Sequence, residues 1–426
     1  MTETFTLALT GQSLIKYDIR TITDPQFLAV QDILKGADLA FTNFEGTLLG
    51  SHGGWPLKGS FFGCSDPVVL DTFKAMGIGA LSLSNNHAFD LGPPGILTTL
   101  EEVEKRGFLY AGIGRDQDEA SLPGQVRVGR TRVGLVAMDG GPGPDFMYAA
   151  DADQQRPSRP GVNRLKVSQV IDLDDTTFAQ IKKIRDIVGY TAIDLANDSQ
   201  PDDPLRLIDG AEIAIARAVF RRGTPPGRNV KVDPLDLQRN LAAIAEAADD
   251  GNLVIAYLHH HHWASDWHQL PDWVSGIARQ CIDAGASLFV SHGAPVLQPI
   301  EIYKGRPIFY SLGNFIFHVR SEKSTWTGPE VWESVVATCR FDGDNRLDAI
   351  ELHPVVIGGE AGLANPALEH RLVPHRVTGA TAARILGRVR DRSAGLGTNV
   401  EIVDDLGIIR AASPSQQART AMRAHA

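Results

Sequence analysis

The stretch VIAYLHHHHWASDW, Val254–Trp267, sets an uninterrupted apolar run directly before four successive histidines. The run NLVIAYL (Asn252–Leu258) comes after Gly251 and has the length of a strand buried on both faces. The histidines then stand at its carboxyl end, in mid-chain, where an expression tag is out of place. Similar runs recur as FTLALT (Phe5–Thr10), LAFTNF (Leu39–Phe44), ALSLS (Ala80–Ser84), RVGLVAM (Arg132–Met138), SLFVS (Ser287–Ser291) and PIFYSL (Pro307–Leu312). Amphipathic segments separate them. Asp66-Pro67 opens one, with Val69, Leu70, Phe73 and Met76 at helical spacing and Gly77 as its stop. Asp233-Pro234 opens another along Leu237, Leu241, Ile244 and Ala248, and a third groups Val274, Ile277, Ala278, Cys281 and Ile282 before Gly285. Buried strands alternating with helices predict an α/β fold.

The pattern breaks once. From Gly140 to about Asp209 the chain is rich in Pro, Asp, Gln and Arg, with one helix expected in TTFAQIKKIRDIVGY. Such an insertion reads as a lid or as a plain surface excursion. The expected organisation is a catalytic domain over 1–358 containing this insertion (about 140–209), a small α/β extension over 359–412 and a flexible tail over 413–426. Composition agrees with a soluble globular chain: 43% of residues are hydrophobic and 22% charged. The formal charge of -10 argues against nucleic-acid binding, which depends on Lys and Arg against phosphate. No segment reads as a membrane span or a secretory leader, so a cytoplasmic location is expected. Cys64, Cys281 and Cys339 are too scattered for a disulfide framework or a thiolate zinc site. No oligomeric state can be read from the sequence.

Function is carried by the polar residues just beyond the strands. Gln12 stands after the first, Glu45 after the second, Asn85-Asn86-His87 after the third, His259–His262 after the Asn252–Leu258 run, and His292 after the Ser287–Ser291 run. Ligands of α/β sheets gather outside the carboxyl ends of strands. Taken singly, each residue has a plain structural reading: Glu45 as a turn carboxylate, Asn85-Asn86 as a turn pair, His292 as a hydrogen-bonded loop residue. Taken together they describe a pocket of carboxylate, amide and imidazole, suited to a divalent Zn, Mn or Fe. Period-two alternation sends His259 and His261 to one side and His260 and His262 to the other, so that one pair can ligate while the other is left as acid–base, supporting or solvated groups. Trp263, Trp267 and Trp273 lie just beyond, as a wall for a substrate or as loop packing.

NFEGTL (Asn43–Leu48), LSLSNNHAFDLG (Leu81–Gly92) and IEIYKGRPIFYSLGNFIF (Ile300–Phe317) resemble, in order and spacing, the CapA family of poly-γ-glutamate capsule synthesis. That family belongs to the calcineurin-like metallophosphatases. The resemblance runs from about Thr6 to Val356, with a looser match in GRVRDRSAGLGTNVEI (Gly387–Ile402). It implies a four-layer sandwich, two central β-sheets flanked by helices, with one or two metals at the strand ends. It further implies Glu45, Asn86, His259, His261 and His292 as metal ligands and His87 as the proton donor to a leaving group. Asn314 and Glu301 would brace the floor. Two departures stand out. Gln12 replaces the family's aspartate, leaving a weak ligand or substrate contact, and Pro295 in SHGAPVL replaces a histidine. One firmly held metal, with a second weaker or missing, is the expectation.

The leading functional expectation is metal-dependent hydrolysis of an amide, peptide-like or other carbonyl-containing small substrate by a metal-activated water. His87 and His260 are the catalytic candidates, and Trp263 and Trp267 the substrate wall. Two alternatives stay open: a histidine-based or metal-linked peptide α-carbon epimerase, and a non-catalytic component of polymer synthesis.

Overall fold

The computed structural model describes residues 4–189, 212–215, 218–320 and 328–411; the tail expected from residue 413 lies outside them. They divide into two compact units, Met1–Leu165 with Leu235–Ala426, and Lys166–Pro234.

The first unit is a mixed α/β sandwich. Its larger sheet centres on parallel strands β1 (Phe5–Leu14), β2 (Leu39–Phe44) and β3 (Ile78–Ser82), with Leu109–Ala111 at one edge. On the other side Glu333–Phe341, Leu347–Ile357, Leu406–Arg410 and Glu401–Val403 continue it antiparallel. The six-stranded second sheet is built on parallel β4 (Thr131–Asp139), β5 (Leu253–His259) and β6 (Leu288–His292). A short strand β7 (Asn314–Phe317) pairs with the far end of β1.

Alternation along each strand assigns two faces to two layers. Leu7, Leu9 and Phe41 of the first sheet meet Leu135, Ile255, Tyr257 and Val290 of the second in one core. Ala8, Ala40 and Leu81 face outward onto α1 (Pro25–Lys35), α2 (Val68–Met76) and α3 (Pro93–Lys105), through Val30, Phe73 and Ile96. Behind the second sheet lie α4 (Pro234–Asp249) and α5 (Asp272–Asp283), whose Ile244, Val274, Ile277 and Cys281 are buried. A Cβ on Gly134 of β4 would stand 3.3 Å from Ala247 of α4, so sheet and helix are in close contact. Helices, sheet, sheet and helices therefore form four layers, and strands covered on both faces are apolar throughout. The helix stop at Gly77 is a left-handed cap with φ of 94°, which a residue without Cβ adopts freely. All three cysteines are buried and free.

Two elements differ from the sequence expectation. Strand β1 does not end at Thr10 but runs to Leu14, so Gln12 lies inside it. Its first half pairs with Glu333–Phe341, and at Gln12 it meets Asn314 of β7 across a register shift. The polar stretch from Gly140 also divides. Met147, Tyr148 and Val162 are buried with the first unit's helices, whereas the separate unit begins at Lys166. That smaller unit carries a four-stranded sheet and the expected helix at Asp175–Val188. The C-terminal region adds α6 (Gly379–Ala394), whose Ile385, Leu386 and Val389 join the core between the two large sheets. Among the described residues no helix is long and apolar enough to cross a membrane.

Candidate metal centre

The parallel strands of both sheets deliver their carboxyl ends to one place. Asn85, fully buried after β3, holds the ends of two neighbours. Its Nδ2 donates to the Phe44 carbonyl (2.8 Å) and to Asn43 Oδ1 (3.2 Å), and its Oδ1 accepts from the His87 N–H (3.0 Å). The clamp leaves the next side chain, Asn86, free to point across to the second sheet. There Asn86 Oδ1 lies 2.9 Å from His259 Nε2. His259 Nε2 is also 3.2 Å from His261 Nε2 and 3.8 Å from Glu45 Oε1. The donor atoms of Glu45, His259 and His261 all lie within 4.8 Å of one another.

A ring nitrogen has one lone pair or one proton, so His259 Nε2 cannot satisfy three such neighbours at once. A shared cation can. At metal–ligand distances near ~2.1 Å, adjacent ligands of a tetrahedral or octahedral ion stand about 3.0–3.4 Å apart, close to the Asn86–His259 and His259–His261 separations, while Glu45 stands further off at 3.8 Å. Two imidazoles, a carboxylate and an amide oxygen form a donor set for Zn, Mn or Fe. Among the described residues the buried Glu45 Oε2 and His259 Nδ1 have no hydrogen-bond partner. Burial, then the neighbouring His261, pushes His259 well below the usual imidazole range, and burial foremost takes His261 to about 3. Burial thus favours the neutral form of both rings, the form that ligation requires. Burial raises the Glu45 carboxyl against the opposing pull of His87 and Lys58.

The histidine run splits by parity. The ladder ends at His259, after which the His260 N–H donates to the His292 carbonyl (3.1 Å) and the His261 N–H to Gly141 (2.7 Å). His259 and His261 face each other with ring centroids 5.0 Å apart, while His260 and His262 both stand edge-on to Trp273 of α5, at 4.9 and 6.2 Å. The structure thus seats His260 against a tryptophan rather than among the four donors. His292 pairs with His259 in the ladder but lies outside the tight group, its ring 5.6 Å from that of Tyr257 and its two nitrogens without hydrogen-bond partners. Trp263 stacks on His261 at 4.7 Å and Trp267 meets Trp263 edge-on at 5.8 Å, so Trp263 packs directly behind a donor.

Gln12 is engaged elsewhere. Its Nε2 donates to Asn314 Oδ1 (2.8 Å) and its Oε1 accepts from the Gly293 N–H (3.0 Å), while Asn314 Nδ2 reaches the Val331 carbonyl (3.0 Å). Both amide atoms thus join β1, β7 and the loop after β6. Glu301 is held by Arg279 and Tyr310, at 2.8 and 2.5 Å.

Three residues that bear on the site are absent from the sequence-based expectation. Asp90 Oδ2 lies 2.6 Å from His87 Nδ1, and Lys58 Nζ lies 2.9 Å from Asp90 Oδ1. Burial works to raise the Asp90 carboxyl, but His87 and Lys58 outweigh it and hold it below its ordinary value. Asp139, at the end of β4 and paired with His259 in the ladder, is fully buried and accepts from the Tyr148 hydroxyl (3.1 Å). Burial foremost pushes it up to about 7. The i,i+3 spacing in His87-Ala88-Phe89-Asp90 is a legible signal, as is Asp139 at another strand end; Lys58, in an irregular stretch, offers none.

Relatives of the chain are found among known proteins. The family model described as "Bacterial capsule synthesis protein PGA_cap" matches residues 6–319. An uncharacterised protein of Sinorhizobium fredii is 29% identical over 448 aligned positions, covering 95% of this chain and 93% of its own. The PGA biosynthesis protein CapA of Bacillus subtilis is 34% identical over 151 positions, covering 34% of this chain and 38% of its own. Among solved structures, a 5'-nucleotidase precursor of Thermus thermophilus aligns with a TM-score of 0.34 and 13% identity, over 83% of this chain. This chain spans about half of that one, 54%.

Proposed function

The chain belongs to the bacterial capsule synthesis PGA_cap family, and from that premise we propose that it is a metal-dependent hydrolase of an amide or peptide-like bond, serving capsule-polymer synthesis. One observation carries the reading: Glu45, Asn86, His259 and His261 converge from three strand ends, with the His87–Asp90 pair on the same loop as Asn86. These four residues would hold one divalent cation. Such an ion would polarise a carbonyl or phosphoryl oxygen and lower the pKa of water so that hydroxide is available as nucleophile near neutral pH.

The rest is the work of the chain. Asp90 accepts from His87 Nδ1–H and so fixes the tautomer that leaves Nε2 to carry a proton to and from the leaving group. Phe62 covers the His87 ring at 5.3 Å and Trp263 covers His261, so both imidazoles keep their orientation with little water around them. Buried histidines in the neutral form would hold the cation without first releasing a proton.

The test uses protein purified without a tag. Elemental analysis is expected to find about one divalent metal per chain, lost in Glu45→Gln and His261→Ala. Cleavage of glutamyl p-nitroanilide, an amide probe, is expected to fall at least ~100-fold in both variants, with bis(p-nitrophenyl) phosphate as the competing probe. Wild-type protein that carries no metal, and cleaves neither probe when Zn, Mn or Fe is added, sinks the reading. Deuterium entering a peptide α-carbon without cleavage replaces hydrolysis by epimerisation.

A further inference from the structure

The segment after β2, from Gly50 to Gly63, has little regular structure yet is fastened to the site at several points. The Leu57 N–H donates to the Asp90 carbonyl (2.8 Å), Lys16 Nζ holds the Phe61 carbonyl (2.8 Å), and the Phe62 ring covers His87. Gly63 passes so close that a Cβ there would stand 2.3 Å from Asp90 Oδ2 and 2.6 Å from His87 Nδ1. Between these anchors the half-exposed Lys58 side chain reaches the pair with its ammonium. Its ammonium sits 2.9 Å from Asp90 Oδ1 and 2.5 Å from the main-chain oxygen of Asn86.

The two contacts have different consequences. The Asp90 side chain is only 2% exposed, and a carboxylate so enclosed must be compensated. One oxygen is taken by His87 and the other by Lys58, which fixes the plane of the carboxylate and with it the His87 ring. The Asn86 carbonyl belongs to the residue whose side chain reaches His259. One ammonium therefore sets both the proton-carrying imidazole and the amide donor, from a segment distant from either in sequence. We propose that Lys58 is a positioning residue that straps the 50–63 segment over the His87–Asp90 pair, closing the Nδ1 side of His87 and leaving Nε2 as its only working atom. The effect on turnover rests on the hydrolase reading; the state of His87 does not.

Lys58→Met, of similar length and without charge, is compared with wild type by ¹⁵N-histidine NMR at fixed pH, with metal analysis and steady-state turnover of the amide probe. Where the ring is neutral, His87 is expected to show a protonated Nδ1 and a bare Nε2 in wild type, and a tautomer mixture in the variant. Metal content and KM stay near wild type, while kcat falls about tenfold, the usual scale for a residue acting through another. In Lys58→Ala, added propylammonium restores the wild-type His87 spectrum, which a general loss of folding would prevent. A His87 spectrum unchanged in both variants overturns the proposal, even if turnover falls. Wild-type protein without turnover defeats the hydrolase reading alone, and the spectra still decide the role of Lys58.

Discussion

His87 and Asp90 show how little of a residue's role lies in its identity. A free histidine exchanges protons at either nitrogen; in the proposed mechanism His87, tied to a buried carboxylate at 2.6 Å, would work at one. Asp90→Asn keeps the volume but offers a donor or a neutral acceptor in place of a carboxylate. Turnover of the amide probe is expected to drop about 10²–10⁴-fold, as for loss of general acid–base catalysis, with metal content unchanged by elemental analysis. His318 illustrates a different use of the same side chain. Its Nδ1 accepts from the Lys16 N–H (3.0 Å) and its Nε2 donates to the Leu372 carbonyl (2.8 Å), an arrangement only the neutral ring can make. Burial, joined by Lys16 and opposed by the Leu372 bond, lowers its pKa to about 4. Below the unfolded value of about 6.5, unfolded chains take up a proton the folded protein refuses. Stability from this residue is complete above that pH and declines as pH falls to about 4. The loss is on the order of 3 kcal/mol. Urea melts at successive pH values should show it, and His318→Gln should flatten that part of the profile.

At the scale of elements, the site depends on how strands end. Beyond its last ladder pair a strand has no partner to fix side-chain direction, so the adjoining turn decides it. After β6 that turn is Gly293, at φ of 118°, where a Cβ would stand 1.8 Å from the His260 carbonyl. No other residue fits both the backbone angle and the space. Gly293→Ala must therefore push the β5 and β6 ends apart, and it disturbs the N–H that Gln12 accepts. A loss of about 2–4 kcal/mol in urea unfolding is expected, with weakened metal retention. A variant as stable as wild type would show that the two strand ends are less tightly coupled than the distances imply. Pairing also explains why β1 outruns its apolar run: β7 carries the strand through a glutamine that composition alone places in a loop.

For the whole first unit, the C-terminal region is part of the core rather than an attachment to it. Glu333 is fully buried and held by Arg384 and Arg388 of α6, while Arg371 stacks on Trp332 at 3.9 Å. Removing everything after Gly358 would strip Ile385, Leu386 and Val389 from between the sheets, about 1.5–3 kcal/mol each. It would also leave the Glu333 charge buried and unpaired, about 3–5 kcal/mol more. Together these approach the whole stability of an ordinary domain, about 5–15 kcal/mol. A chain ending at residue 358 is expected to show no cooperative thermal transition by circular dichroism; a sharp transition would refute the shared core.

The alternation of buried strands and capped helices, and the chemistry placed at the strand ends, are written in the sequence alone. Apolar runs closed by Gly or Asn leave little choice of element, and carboxylate, amide and imidazole at equivalent ends mark a common pocket. The parity expected of a strand separates His259 and His261 from His260 and His262, although the ladder itself ends at His259 and loop contacts hold the rest. Tertiary packing decides which end groups share a point in space, and which turn away. Gln12, 302 residues from Asn314, is drawn into a structural bridge by a strand pairing that no local pattern encodes. Asp90 and Lys58 meet only because the irregular segment that carries Lys58 folds back over Asp90. Periodicity is local and survives in the sequence; the contacts that orient a site join distant segments, and only packing brings them together.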